Sequence, residues 1–581
     1  MEQKIGYELK YCDPHKHFLN VEMVVNEVEG EELEFQLPSW RPGRYELGDF
    51  AKNIQKLNAF DSEGNTLKFS KKTKDLWVVS TNGSNSIVLK YNVYANELGG
   101  GTTYLDSHQL YVNPINCCMY VVGRERETCT LQLDIPSDWK VAIGLPEIGT
   151  NTFVAKSFDH LVDSPFIASS TLQHNSYDVD GVTFNLWFQG EFKPEWDRIL
   201  QAFRAFTEVQ LQAMGSFPFT EYHFLYQICT YPIYHGVEHN NSTVIVLGSS
   251  YDMMDKIYNG FLGVSSHELF HAWNVKAIRP IEMQPYDFSK ENYSNLGYVT
   301  EGITTYYGDL FLYRSSCFSQ VQYFNELHQL FQRHFHNYGA LNLSLAESSF
   351  DTWLDGYVKG IPDRKGSIYT EGALVALMLD LSLRRDTENQ RSLDDVMRLL
   401  YERFGKTGKG YSEAEYQQIV EEVAGKSYQL FFDDYYYGIK DIEPYLTEVL
   451  SYVGLEIKNV ASPFYFEDCF GFKVEYINGR SARVMEVAPN SIADKAKIKC
   501  GDEILSINGI RIVGDLKGWC KYFQEETVSL TINSEDDTYE VELTPSEERY
   551  YRSRWAEPMS NLTEEQKSSF EAWTGQNLNQ G

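Results

Sequence analysis

One pentapeptide, His267-Glu268-Leu269-Phe270-His271, constrains this chain more than any other segment. Two imidazoles four residues apart can grip one ion only from a helix, where such residues share a face. Glu268 then falls on the adjoining side, placed to address water rather than the ion itself. This is the HExxH spacing of zinc peptidases. The competing reading is a helix with two structural histidines and a surface glutamate. A catalytic zinc site takes three protein ligands plus water, so a third ligand must come from farther along. Tyr298-Val-Thr-Glu301-Gly302 opens a second apolar helix thirty residues beyond His271, and Glu301 there completes a set of two histidines and one carboxylate. A glutamate at a helix start is also favoured by the macrodipole alone, but the motif upstream decides for the ligand. The expected chemistry is peptide hydrolysis at one Zn2+ ion. Zinc lowers the pKa of its water to around 7 and polarises the scissile carbonyl, while Glu268 takes the proton and later delivers it to the leaving amine.

The rest of the chain bounds this reading. Its 581 residues exceed what one core supports, so three or four domains are expected. A net charge of −31 argues against nucleic acid as a partner. The charge suits cationic ligands such as peptide amines, or simply solvates the surface. The nine cysteines show no CxxC pair and no disulfide framework. The start lacks a signal-peptide core and no run reaches membrane-spanning length. A reducing, cytoplasmic protein without a membrane partner is therefore expected.

Strand-like runs at Val21–Val28, Leu33–Leu37, Ser86–Ala95 and Thr128–Ile135 predict an all-β, sandwich-like domain over 1–170. Helical periodicity begins at Pro194–Met214. It continues at Tyr251–Val275, Leu296–Leu312, Cys317–His336, Ile368–Leu383, Ser392–Phe404, Ser412–Ala424 and Ser427–Tyr437, so helices should dominate to about residue 445. Strands return from Val453 to about Leu543. A polar tail follows, with Trp555 and Trp573 expected to dock it. The fold class expected is multidomain α+β.

Several separated segments resemble the glycyl aminopeptidases with a PDZ domain, family sixty-one of the metallopeptidases. His267–Lys276 with Arg279-Pro280 is similar to the family's metal-binding helix and its exit. Glu301-Gly-Ile-Thr-Thr-Tyr-Tyr307 is similar to its third-ligand helix, and Leu37-Pro-Ser-Trp-Arg-Pro-Gly-Arg-Tyr45 resembles the signature of its N-terminal β domain. The resemblance implies a mainly helical, thermolysin-like (gluzincin) catalytic domain over 171–447, a PDZ-like domain over 448–545 and a tail over 546–581. It also implies aminopeptidase action on peptides with a free N-terminus, small residues such as Gly or Ala first.

Gly236-Val-Glu238-His239 resembles the family's Gly-Leu-Glu-His segment, which by analogy lies on a strand edging the cleft. A free α-amine is mostly cationic at neutral pH, and Glu238 is the candidate to pair with it; an exposed strand-end glutamate is the alternative. Tyr369 matches the tyrosine that in related enzymes donates to the oxyanion. Packing is its rival role, Tyr306 and Tyr307 are alternative donors, and Glu371 stands where many relatives have lysine. Ala482–Ala493 and Cys500–Gly509 look like a PDZ domain, with Cys469-Phe-Gly471-Phe472 as the loop that receives a chain-end carboxylate. A structural or gating role for that module stands beside peptide capture. Two other functions remain open: a zinc endopeptidase, and a PDZ peptide-binding protein with a vestigial metal site.

Overall fold

The computed structural model describes residues 4–356, 360–535 and 537–579. It divides into two compact units. One comprises Met1–Ser319, Ser349–Val358 and Arg391–Tyr428; the other comprises Gln320–Ser348, Lys359–Gln390 and Gln429–Gly581.

The first unit opens with the expected β-rich region. Strands observed at Phe18–Asn26, Glu32–Gln36, Ser86–Tyr94 and Cys129–Asp134 match the four runs to within a few residues. Alternate side chains point inward, as in Phe18–Asn26, where every second residue is buried. Eight strands form the largest sheet and two four-stranded sheets accompany it. Their shared core runs from Ile5 to Ala168 and takes in Met283, Tyr286 and Phe288 from beyond the region.

A five-stranded sheet follows, ordered Gln173–Val179, Val182–Gly190, Glu221–Cys229, Ser242–Gly248, Ile233–Glu238. The middle three strands are parallel to one another, and Ile233–Glu238 is the terminal strand, antiparallel to Ser242–Gly248. Helix Trp196–Met214 makes the crossover, burying Ile199, Phe203, Phe206, Gln210 and Leu211 on one stripe and stopping at Gly215. Helical periodicity alone missed Glu221–Cys229 and Ser242–Gly248, which lie inside the stretch expected to be mainly helical. Both are buried almost end to end, so a run such as Val244-Ile-Val-Leu247 shows none of the alternation by which a half-exposed strand is read.

Two helices of this unit depart from the expected continuous form. The run predicted at Tyr251–Val275 is an α-helix only over Tyr258–Phe270. A wider-wound turn follows at Ala272–Ala277, in which Asn274 is non-helical. The Asn274 side-chain amide donates to the carbonyl of Val299 at 2.8 Å, which gives this break a partner on the next helix. The run predicted at Leu296–Leu312 likewise opens with a wider turn, Tyr298–Ile303, before the regular helix Thr304–Arg314.

In the second unit, helix Gln320–Phe335 packs on helix Thr370–Asp386 and on strand Ser553–Pro558. The tail docks as expected. Trp555 stacks on His328 with ring centres 3.4 Å apart, and Trp573 is fully buried near Tyr323. The same unit carries a compact β module ordered Phe472–Ile477, Ser481–Val487, Glu503–Ile507, Val528–Ser534, Asp537–Leu543. Its core includes Phe466, Phe472, Ile504, Leu516 and Leu530. Among the described residues, no helix is long and apolar enough to cross a membrane.

Candidate metal centre

Helix Tyr258–Phe270 is buried nearly all round, so its polar groups must find partners inside the unit. Ser266 donates to the carbonyl of Gly308 at 2.7 Å, Gln210 donates to the carbonyl of Ser266 at 2.9 Å, and Ser265 exchanges a hydrogen bond with Tyr226 at 2.7 Å. The last turn of this helix then presents His267 and, at its end, His271. Their Nε2 atoms lie 3.0 Å apart. Glu301 Oε2 comes in from the neighbouring helical segment, 3.5 Å from His271 Nε2 and 3.9 Å from His267 Nε2. The three expected ligands therefore converge.

The donor set fits a small cation. Neighbouring ligand atoms around a tetrahedral zinc, each about 2.0–2.2 Å from the ion, stand about 3.3–3.5 Å apart, which matches these separations. His271 Nδ1 lies 2.7 Å from the carbonyl of Asn274. Donating there leaves the Nε2 lone pair free for an ion and fixes the ring. The broken helix exit at Asn274 is thus what orients the second ligand.

Electrostatics point the same way. Burial, and then the charge on His271, holds His267 well below the usual histidine range. Burial also acts to lower His271, but the hydrogen bond and charge of Glu301 outweigh it and take the group up to about 9. The buried acidic groups here thus favour a positive charge between the rings.

Glu268 is buried and, chiefly through desolvation, raised to about 8. It faces the terminal strand of the sheet. A Cβ built on Gly236 would lie 2.2 Å from Glu268 Oε1, so only a residue without a side chain admits the carboxylate there. Glu238, two residues on, offers a carboxylate oxygen within 4.8 Å of ligand atoms on Glu268 and His271. Glu238 is itself buried, and its Oε1 has no hydrogen-bond partner among the described residues. Gly43, in the Leu37–Tyr45 segment, closes over it: a Cβ there would lie 2.4 Å from Glu238 Oε2.

His239 points elsewhere. Its Nδ1 lies 3.0 Å from Asp163, which also takes the fully buried Lys276 amine at 3.1 Å. Burial acts to raise Asp163, but Lys276 and the bond from His239 outweigh it and leave the carboxyl below its usual range. This buried knot joins the β region, the edge strand and the exit of the metal helix. Lys276 lay within the segment likened to the metal-binding helix, but neither periodicity nor motif spacing marks Asp163.

Tyr369 belongs to the second unit, where it is half-buried just ahead of helix Thr370–Asp386. Glu371 beside it is buried, raised by desolvation to about 8, and its Oε2 has no hydrogen-bond partner among the described residues. Of the alternative donors, Tyr307 spends its hydroxyl on Asp394 at 2.6 Å and stacks on Phe311. Tyr306 is buried beside it.

A helix-borne pair of histidines, a carboxylate from the next helix and an acidic residue between them and an edge strand define a metallopeptidase. Three family models match the chain: the Peptidase M61 N-terminal domain over 6–170, M61 glycyl aminopeptidase over 260–375 and a PDZ domain over 483–534. A crystal structure of an aminopeptidase N family protein from Idiomarina loihiensis superposes with a TM-score of 0.89 at 28% identity, covering 98% of this chain and 100% of that one. An M1 zinc metallopeptidase from Deinococcus radiodurans bound to a Tyr-Ser-Ala substrate gives a TM-score of 0.49 at 12% identity, over 76% of this chain and 94% of the other. At that level not even a common fold follows. No curated protein matches the chain. The chain carries an M61 N-terminal domain, an M61 glycyl aminopeptidase domain and a PDZ domain, the domain set of a metallo-aminopeptidase.

Proposed function

We propose that the protein is a zinc-dependent aminopeptidase that removes small N-terminal residues, glycine or alanine first, from peptides. The observation that carries this reading is the convergence of His267, His271 and Glu301 within ion-binding distance, with two further buried carboxylates, Glu268 and Glu238, directed at the same space. A single Zn2+ held by those three ligands would supply Lewis-acid polarisation and a more acidic water.

Glu268 is the general base. Its raised pKa suits a group that must accept a proton near neutrality and release it to the leaving amine. Glu238 pairs with the substrate's α-ammonium group and so sets the cleavage register at the first peptide bond. The missing partner of its Oε1 is what a cationic guest provides. Gly236 lets Glu268 and the strand approach each other, and His239 holds the strand end through Asp163. Tyr369 is the proposed donor to the developing oxyanion. The PDZ module is proposed to take a peptide ligand at Cys469–Phe472, and the net charge of −31 argues against a nucleic-acid partner.

Elemental analysis joined to an activity assay tests the proposal. One zinc per chain is expected, with cleavage of Ala- and Gly-p-nitroanilide that chelation abolishes and zinc restores, and no cleavage of N-acetylated peptides. Full activity in the metal-free protein, or equal cleavage of blocked peptides, would overturn it.

A further inference from the structure

The Leu37–Tyr45 segment does more than close over Glu238. It also lines a cavity of about 660 Å³ beside the edge strand. Five of the residues around this cavity carry its charge, Arg41, Arg44 and Lys52 against Glu46 and Glu97, and His235 stands among them. Arg44 is engaged by Glu46 in an ion pair. Arg41 is 6% exposed, and its guanidinium lies against Gly101, where a Cβ would come within 2.1 Å of Nε. Burial, then the nearby Arg41 and Arg44 guanidiniums, take His235 down to about 4, so that ring is neutral and the fixed charges there are mainly positive. The Gly100 N–H donates to His235 Nδ1 at 3.2 Å, which holds the ring in place. In a chain of net charge −31, cations outnumber carboxylates in this cavity.

The position of the cavity follows from the strand. Glu238 is the last residue of Ile233–Glu238, and Ile233 and His235 line the cavity. A peptide lying along this terminal strand with its amine at Glu238 must run toward Ile233, which makes it antiparallel and adds a strand to the sheet. At about 3.4 Å per residue, its backbone reaches the level of His235 after about 10 Å and that of Ile233 after about 17 Å. A peptide of about three to five residues therefore ends at the cavity.

We propose that this cavity is a carboxylate subsite, centred on Arg41 and supported by Lys52, that receives the C-terminal carboxylate of short peptides and makes the enzyme select them over long ones. The inference rests on the aminopeptidase reading, with Glu238 as the amine partner. A carboxylate could also arrive on an acidic side chain, and the test separates the two sources.

The zinc-loaded enzyme is assayed on Ala-Ala-Ala with a free C-terminus, on its C-terminal amide and on Ala-Ala-Glu amide, with Ala-p-nitroanilide as reporter. The free acid is expected to exceed the amide in kcat/KM by roughly tenfold or more, as for a charge-assisted hydrogen bond, mostly through KM. R41Q should bring the acid-to-amide ratio close to one. E97Q, at an exposed carboxylate on the same wall, should raise the ratio, and K52Q should lower it; these two keep the test alive if R41Q does not fold. An acid-to-amide ratio near one in the wild type, or one unmoved by all three variants, overturns the proposal. So does an Ala-Ala-Glu amide that matches the free acid, since the subsite would then read side chains. Parity with a live reporter strikes this inference alone, whereas a zinc-loaded enzyme inactive on the reporter strikes the aminopeptidase reading and this one with it.

Discussion

The contact between Gly236 and Glu268 can be tested by adding a single methyl group. In G236A the new Cβ would stand 2.2 Å from Glu268 Oε1, 2.8 Å from its Cδ and 2.8 Å from Val264 Cγ2. Carbon and oxygen do not settle inside about 3 Å, so strand and carboxylate must part by about 1 Å. Gly236 has no left-handed backbone angle, and alanine therefore brings no conformational penalty beyond the clash itself. A misplacement of that size costs on the order of a hundredfold in rate, or about 2.7 kcal/mol in the barrier. The metal ligands are not among the atoms displaced. The assay is kcat on Ala-p-nitroanilide beside zinc content, for G236A, E268Q and the double variant. G236A should lose about a hundredfold in kcat with zinc retained. E268Q should lose more, within the 10²–10⁴ range of a general base. The double variant should fall no further than E268Q, because the methyl acts only through the carboxylate. A G236A enzyme within about twofold of wild type, carrying its zinc, would refute either the contact or the base assignment.

Three further outcomes are expected. E238A should depress cleavage of free-amine peptides far more than it changes zinc content; a matching loss of zinc would make Glu238 a metal-site residue instead. D163N leaves the Lys276 ammonium buried without its charge partner, which costs about 3–5 kcal/mol in denaturant unfolding; K276M added to it should restore most of that, and failure of the double variant to recover would deny the pairing. Glu371, raised in the fold to about 8, is bound to its proton more tightly folded than unfolded. The stability it contributes is thus present in full below the ordinary glutamate range and is lost as pH rises toward 8. E371Q should flatten the fall of melting temperature between about pH 5 and 8, and an unchanged slope would refute the protonated state.

What the sequence could and could not show follows from the range of each interaction. The approach of His267 to His271 was legible because both histidines belong to one helical face, and that of Glu301 because an acidic residue opening the next apolar helix is a local pattern. Strands such as Phe18–Asn26 were legible because one side faces water. Glu221–Cys229 and Ser242–Gly248 were not, since burial on both faces erases alternation. The break at Asn274 was invisible too: it depends on the Val299 carbonyl, 25 residues away in the chain. Asp163 is harder still, because its partners His239 and Lys276 lie 76 and 113 residues on, and no local pattern marks an aspartate for a buried ion pair.

These long-range contacts change what the N-terminal β region is. On sequence it has no catalytic constellation of its own. In the structure it supplies Gly43 against the Glu238 carboxylate, Asp163 between Lys276 and His239, and Arg41 beside the edge strand. Each meets the peptidase sheet or the exit of the metal helix at a residue next to, or itself in, the candidate site. A buried Lys276 and a buried Asp163 would each be costly alone, so neither the β region nor the helix exit can keep its charge inside without the other. The β region is therefore part of the candidate site's wall, and removing residues 1–170 would take away Asp163, the partner of Lys276 and His239, as well as a neighbouring domain.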